Sequence, residues 1–280
     1  MQFDRPITET IRARHSIRTY GAEPIGEARS RALEDACRSL TRAPFGEPAR
    51  FLLVERPPVK GRGAKVSGFS LQRDARHFLV GAVAASDTAL EGYGYLMEQL
   101  VLRATELGLG TCWMGYFDRE AFADFETSAD ELFPAIAAVG VPAAKARAQD
   151  ELVRGAVKAD ARKGWDELFF LGSFGRPLSK DGAGLYAEPL EMLRWAPSSG
   201  NTQPWRVVKV AGEDTFHLYL KKVRMTYFMA GMHDLDIGIA MSHLELTARE
   251  RGLEGRWAVA DPGLPSVPPG TEYRVSWSAT

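Results

Sequence analysis

The chain has 280 residues, 45% apolar and 25% charged, with 35 lysines and arginines against 36 aspartates and glutamates and a formal net charge of -1. That balance provides no basic field for nucleic acid or an anionic membrane surface and points to a small-molecule protein. The length suits two cores better than one, because single cores stop growing near roughly 250–300 residues.

The chain opens Met1-Gln2-Phe3-Asp4-Arg5-Pro6 without an apolar leader, and no stretch approaches the roughly 18 apolar residues of a membrane-spanning helix. A cytoplasmic protein is expected. Cys37 and Cys112, the two cysteines, form no disulfide framework, which agrees with a reducing compartment. Arg14-His15-Ser16-Ile17-Arg18 sets two fixed cations and a hydroxyl near the start. Guanidinium groups bind phosphate oxygens bidentately and stay charged at any working pH; Arg12, Arg14 and Arg18 also suit a solvated helix face. A helical pattern then passes through Ala43-Pro44 into an apolar strand at Arg50-Phe51-Leu52-Leu53-Val54. Arg62 and Lys65 follow in a loop without a motif.

A helix is predicted over residues 94–108, ending at Gly108, a residue suited to the left-handed cap, before Leu109-Gly110-Thr111-Cys112-Trp113-Met114-Gly115. Beyond Arg162-Lys163 comes Ala196-Pro197-Ser198-Ser199-Gly200-Asn201-Thr202-Gln203-Pro204-Trp205. Prolines at both ends fix its backbone, Ser198 and Ser199 offer hydroxyls, Asn201 and Gln203 offer amides, and Trp205 leads into a strand. A last helix is predicted over residues 238–252, ending at Gly252.

The two halves repeat. An offset of 153 lays Ala43-Pro44 over Ala196-Pro197 and Pro24 over Pro177, and an offset of 144 lays Gly108 over Gly252 and Trp113 over Trp257. The halves have also diverged. The positions of Arg14, Ser16 and Arg18 become Glu167, Phe169 and Leu171, and Met114-Gly115 becomes Ala258-Val259. The turn at residues 43–48 lacks the Ser, Asn and Gln of its counterpart, so one site is expected where a symmetric pair would have two.

Several chemistries find no support. Gly61-x-Gly63 and Gly92-x-Gly94 are incomplete dinucleotide fingerprints, and no Gly-x-Ser-x-Gly is present. His77, His217, His233 and His243 show no metal-ligand spacing and are expected to be structural or solvated. Met225, Met229, Met232 and Met241, with Tyr227 and Phe228, suit core packing or the wall of a channel.

Together, residues 14–18 and 197–205 resemble the FMN-binding signature of the nitroreductase family, and residues 107–115 resemble its helix-to-strand segment beside the flavin. In that family the two signatures belong to different subunits of a homodimer. Here both lie in one chain, as in the single-chain, internally duplicated nitroreductase-like group. The resemblance implies an α+β fold of two tandem units, 1–157 and 158–280, each a mainly antiparallel sheet flanked by helices, packed as a pseudo-dimer and hence monomeric. It implies FMN as cofactor, with Arg14 and Ser16 on the phosphate, His15 in the same motif, and Arg18 at the pyrimidine edge. Backbone N–H groups of Met114 and Gly115, with Trp113 in the same segment, would reach the N5 region. Pro197, Ser198, Ser199, Asn201 and Gln203 would line the ribityl chain and ring, and Arg162, with Lys163 in reserve, would make a last phosphate contact. The implied activity is NAD(P)H-dependent, ping-pong reduction of nitroaromatics, quinones or similar electron-poor compounds, with NAD(P)H a transient co-substrate, no catalytic side chain and no metal. The same residues also suit an FMN-binding protein for storage or sensing, or specialised flavin chemistry such as reductive dehalogenation, flavin fragmentation or dehydrogenation.

Overall fold

The run His77-Phe78-Leu79-Val80-Gly81-Ala82-Val83-Ala84 is apolar almost throughout, the pattern of a strand covered on both faces. It forms β2 (His77–Ala84), central to the sheet of the first of two units, Met1–Ala159 and Asp160–Thr280. The structure, a computed structural model, describes residues 1–56, 74–222 and 231–280. Arg62, Lys65, Met225, Tyr227, Phe228 and Met229 lie outside the described residues.

In the first unit β2 pairs antiparallel with β1 (Ala49–Glu55) and with β5 (Ile136–Gly140), and β5 pairs antiparallel with β3 (Gly110–Met114). The two-residue β4 (Glu131–Leu132) joins β2 as well. The strand order is β1-β2-β5-β3. Helices α1 (Ile7–Ala13), α2 (Glu27–Ser39), α3 (Ala89–Glu106) and α4 (Ala148–Ala156) accompany the sheet. One core cluster gathers Phe78, Val80, Ala82, Phe122, Phe125, Phe133, Ile136 and Ala138. α3 packs on β2 and is buried on nearly every side, Glu98 included.

The second unit holds α5 (Trp165–Leu168), β6 (Phe169–Leu171), α6 (Lys180–Ala183), α7 (Ala187–Trp195), β7 (Trp205–Lys209), β8 (Thr215–Lys221), α8 (Met232–Glu250), β9 (Gly255–Ala258) and β10 (Thr271–Ala279). Its strand order is β6-β7-β8-β10-β9, with β6 parallel to β7 and the other pairs antiparallel. Without β6, the succession β7-β8-β10-β9 repeats β1-β2-β5-β3, and in both units the long helix follows the second strand and leads into an edge strand. The repeat read in the sequence is therefore a repeat of connectivity in an α+β fold of tandem units.

The two helix ends match in detail. After α3, Gly108 (φ 75) donates to Thr105 and Leu109 to Ala104, each at 2.9 Å; after α8, Gly252 (φ 70) donates to Arg249 at 3.0 Å and Leu253 to Ala248 at 2.9 Å. A left-handed glycine satisfies the last carbonyls and turns the chain toward the sheet. Each edge strand then returns a tryptophan to its helix: Trp113 Nε1 donates to Glu98 Oε2 at 2.8 Å, and Trp257 Nε1 to Glu245 Oε2 at 2.7 Å. A buried carboxylate costs little when a fixed donor meets it. Both helices begin earlier than the predicted 94 and 238. In α3 the glycines do not stop the helix, because Gly92 lets it press on the 43–48 turn; a Cβ there would come within 2.7 Å of the Ala43 Cβ. Among the described residues no helix is long and apolar enough to cross a membrane.

Gly108→Ala or Gly252→Ala puts a Cβ on left-handed backbone and is expected to destabilise the chain by about 1 kcal/mol. Urea denaturation reads this directly, and an unchanged midpoint in both variants would contradict the capping role.

Candidate functional site

Arg14 follows the last residue of α1 and is already extended (φ -64, ψ 122), while its N–H still donates to Thr10 at 3.0 Å. The chain then runs beside β3: Ser16 bridges Thr111 in parallel, and Ile17 N donates to the Thr111 carbonyl at 2.8 Å. Gly110 makes this approach possible, since a Cβ there would lie 2.8 Å from Ile17. The first unit thus brings residues 14–18 together with the strand that carries Trp113 and Met114. The solvated-helix alternative for this segment fails, because Arg14 lies outside the helix and is 8% exposed.

The electrostatics of Arg14 are unusual. Its Nε is buried without a hydrogen-bond partner, and so is one terminal nitrogen of Arg18. Burial lowers the pKa of Arg14, Glu98 opposes that, and Arg154 and Arg18 add to it. A buried donor without a partner is costly, and an anion would satisfy it. Ser16 and Arg18 are half-buried, whereas His15 is exposed with Nδ1 2.9 Å from the Ala13 carbonyl. Sequence reading missed the support from α4. Arg147 donates to the Arg18 carbonyl at 2.8 Å, and Asp150, buried, accepts from the Thr19 hydroxyl. Arg154 adds a further positive charge within range of Arg14. No local motif marks these residues, since α4 meets residues 18–19 only through the fold.

Further along β3, the Trp113 indole is engaged by Glu98, Met114 belongs to the core cluster, and Gly115 is exposed just past the strand.

In the second unit the 198–203 loop joins α7 to β7. Gly200 (φ 58), Asn201 (φ 54) and Gln203 (φ 48) are all left-handed. For the two non-glycine residues this costs about 1–2 kcal/mol each, so the surroundings must impose it. Ser199 N donates to Asp236 Oδ1 at 2.9 Å, Gln203 N to the Ser198 hydroxyl at 2.9 Å, and Thr202 Oγ1 to the Ser199 carbonyl at 2.9 Å. Lys163 N donates to Gln203 Oε1 at 2.7 Å, and Asn201 Nδ2 to the Ala161 carbonyl at 3.1 Å. At the exit, Arg206 donates to the Gln203 carbonyl at 3.1 Å. The hydroxyl of Ser198 and the amide of Gln203, which is 3% exposed, therefore hold the loop itself. Pro197, Ser199 and Asn201 are half-buried.

The unit brings this loop together with residues 161–163. Arg162 lies over the Trp195 ring at 5.2 Å and donates to the Trp195 carbonyl at 3.2 Å. Lys163 has a lowered pKa, through burial first and then Arg206. The histidines are structural: His243 Nδ1 lies 3.0 Å from the Met192 carbonyl, His217 Nδ1 2.7 Å from Ser276 Oγ, and His233 Nδ1 2.9 Å from Asp236 Oδ2. Met241 is core and Met232 half-buried. Among the described residues no His, Cys, Asp and Glu cluster could hold a metal ion.

Comparison with known proteins agrees with the fold. A family model described as "Putative TM nitroreductase" matches residues 6–248. A solved structure titled as a putative nitroreductase from Thermotoga maritima MSB8 is 20% identical, covers 100% of this chain and 95% of its own, and superposes with a TM-score of 0.57. A putative nitroreductase in complex with FMN from Desulfovibrio desulfuricans is 22% identical over 53% of this chain and 95% of its own, with a TM-score of 0.40. A nitroreductase family protein from Clostridium novyi NT is 20% identical over 63% of this chain and 97% of its own, with a TM-score of 0.39. No curated protein matches.

Arg14→Met removes the buried charge with its unpartnered Nε and keeps an unbranched apolar stem. It is expected to stabilise the ligand-free chain by about 1–3 kcal/mol and to abolish any rise in melting temperature caused by inorganic phosphate. Calorimetric melts with and without phosphate check both signs.

Proposed function

We propose that this chain, which belongs to the TM nitroreductase family, is an FMN-dependent NAD(P)H oxidoreductase that reduces nitroaromatics, quinones or similar electron-poor planar compounds, acting as a monomer. The observation that carries this reading is the buried guanidinium of Arg14, whose Nε has no hydrogen-bond partner, in the segment that also holds Ser16 and Arg18.

A phosphate dianion answers that arrangement. Arginine matches its oxygens with paired N–H donors, and in a desolvated setting each such bond is stronger than at the surface. Ser16 adds a hydroxyl. Arg18 supplies a fixed cation suited to the ring edge that gains negative charge on reduction. Backbone at Met114 and Gly115 would meet the reactive edge, where a glycine leaves room for close approach. In the other unit, Pro197, Ser199 and Asn201 offer the polar contacts of the loop, while Ser198 and Gln203 fix its shape and Arg162 adds a cation. Bound FMN would supply the hydride chemistry, taking hydride from reduced nicotinamide and passing it to the oxidised substrate in turn. The residues of the chain would bind and orient, and the proton that the reduced substrate takes up would come from solvent, so that no side chain has to supply it.

Anaerobic addition of NADPH or NADH to the FMN-loaded protein is expected to bleach the flavin, and the quinone or nitroaromatic is expected to restore its colour. A flavin that stays oxidised with both nucleotides would contradict the reductase. Arg14→Ala with Arg18→Ala, and separately Asn201→Ala with Gln203→Ala, are each expected to yield protein without flavin; full retention in either would refute the site assignment.

A further inference from the structure

Asp236 sits near the start of α8, 3% exposed, and its two carboxylate oxygens serve different partners. Oδ1 accepts the Ser199 N–H at 2.9 Å, and Oδ2 lies 2.9 Å from His233 Nδ1. His233 is also buried, its Nε2 has no partner, and the bond to Asp236 is the one its ring makes among the described residues. Ring and carboxylate therefore fix one another's orientation. The neighbouring Asp234 is taken up by Arg274.

Ser199 is the last residue before the left-handed stretch of Gly200, Asn201 and Gln203. Backbone of that kind persists only when its surroundings over-determine it. The loop's exit is held by Arg206 and its middle by residues 161–163, its entry is closed on itself through Ser198 and Ser199, and Asp236 ties that entry to α8. The first unit provides an internal comparison. Its 43–48 turn is also tied to the start of the long helix by a carboxylate, but with the polarity reversed: Glu47 Oε1 accepts from Ser86 Oγ at 2.7 Å and from the Thr88 hydroxyl. That turn contains one left-handed residue, Gly46, and no strained non-glycine. The carboxylate is thus supplied from the helix in the unit where the loop is strained, and from the turn where it is not.

We propose that Asp236, oriented by His233, is the positioning residue that holds the 198–203 loop in its left-handed, flavin-binding form; the flavin part of this inference rests on the FMN reading above. It acts through the Ser199 amide, not by touching the ligand.

The test uses the full chain with Asp236→Ala, Asp236→Asn and His233→Gln, reading the FMN dissociation constant by flavin fluorescence and hydrogen exchange of the Ser199 amide in apo-protein. Asp236→Ala is expected to weaken FMN by about tenfold or more, the scale of one charge-assisted hydrogen bond, and to speed exchange at Ser199. Asp236→Asn keeps an acceptor for that amide and is expected to recover most of the affinity, a rescue that a general loss of stability would not show. His233→Gln is expected to fall between them. Wild-type affinity and wild-type Ser199 protection in Asp236→Ala would overturn the proposal, as would equal loss in Asp236→Asn and Asp236→Ala. Should Asp236→Ala fail to fold, Asp236→Asn and His233→Gln carry the test, and wild-type protection at Ser199 in His233→Gln overturns the orienting role. If the wild-type chain binds no FMN, the FMN reading falls, while Ser199 exchange in the variants still decides whether the clamp exists.

Discussion

The buried guanidinium of Arg14 is the constraint on which residues 14–19 of the first unit depend. Burying a charged group is unfavourable by several kcal/mol in general, and a fold tolerates this only if other contacts fix the residue. Here α1 stops one residue before Arg14, the next residues lie along β3 against Gly110, and α4 grips residues 18–19 through Arg147 and Asp150. The carboxylate of Glu98, which favours the charged form of Arg14, also accepts from the Trp113 indole. An arginine so placed suits an anion, which is the basis of the phosphate reading proposed above.

The second unit repeats the connectivity but fills it differently. Where the first unit has Arg14, Ser16 and Arg18, the second has Glu167, Phe169 and Leu171, which end α5 and form β6, a short apolar strand parallel to β7. Conversely, the second unit keeps a strained polar loop before β7, whereas the first has a shorter turn closed by Glu47 on Ser86 and Thr88. The arginine segment is thus found in the first unit alone and the strained polar loop in the second alone.

Much of this was legible in the sequence. The glycines closing the two long helices and the tryptophans that follow them were visible as matched positions, because a left-handed cap and an indole donor depend on local residue types. The arginine segment and the Pro-Ser-Ser-Gly-Asn-Thr-Gln-Pro-Trp run were visible because their residues are contiguous. What stayed hidden depends on contacts between distant positions. Asp236 and His233 looked like scattered polar residues until the fold carried Ser199 to them, and Arg147, Asp150 and Arg154 looked like an ordinary charged helix face. The roles within the loop were hidden too: Ser198 and Gln203 read as ligand groups, while their bonds run to the loop and to residues 161–163. α3 began earlier than expected because Gly92, a breaker by composition, is tolerated where close packing needs it.

The most direct test compares FMN with riboflavin by isothermal titration into the apo-protein. One FMN is expected to bind per 280-residue chain, with riboflavin weaker by at least roughly a hundredfold, since riboflavin has no phosphate for Arg14. No FMN binding, two equivalent FMN sites, or riboflavin binding as tightly as FMN would contradict that expectation.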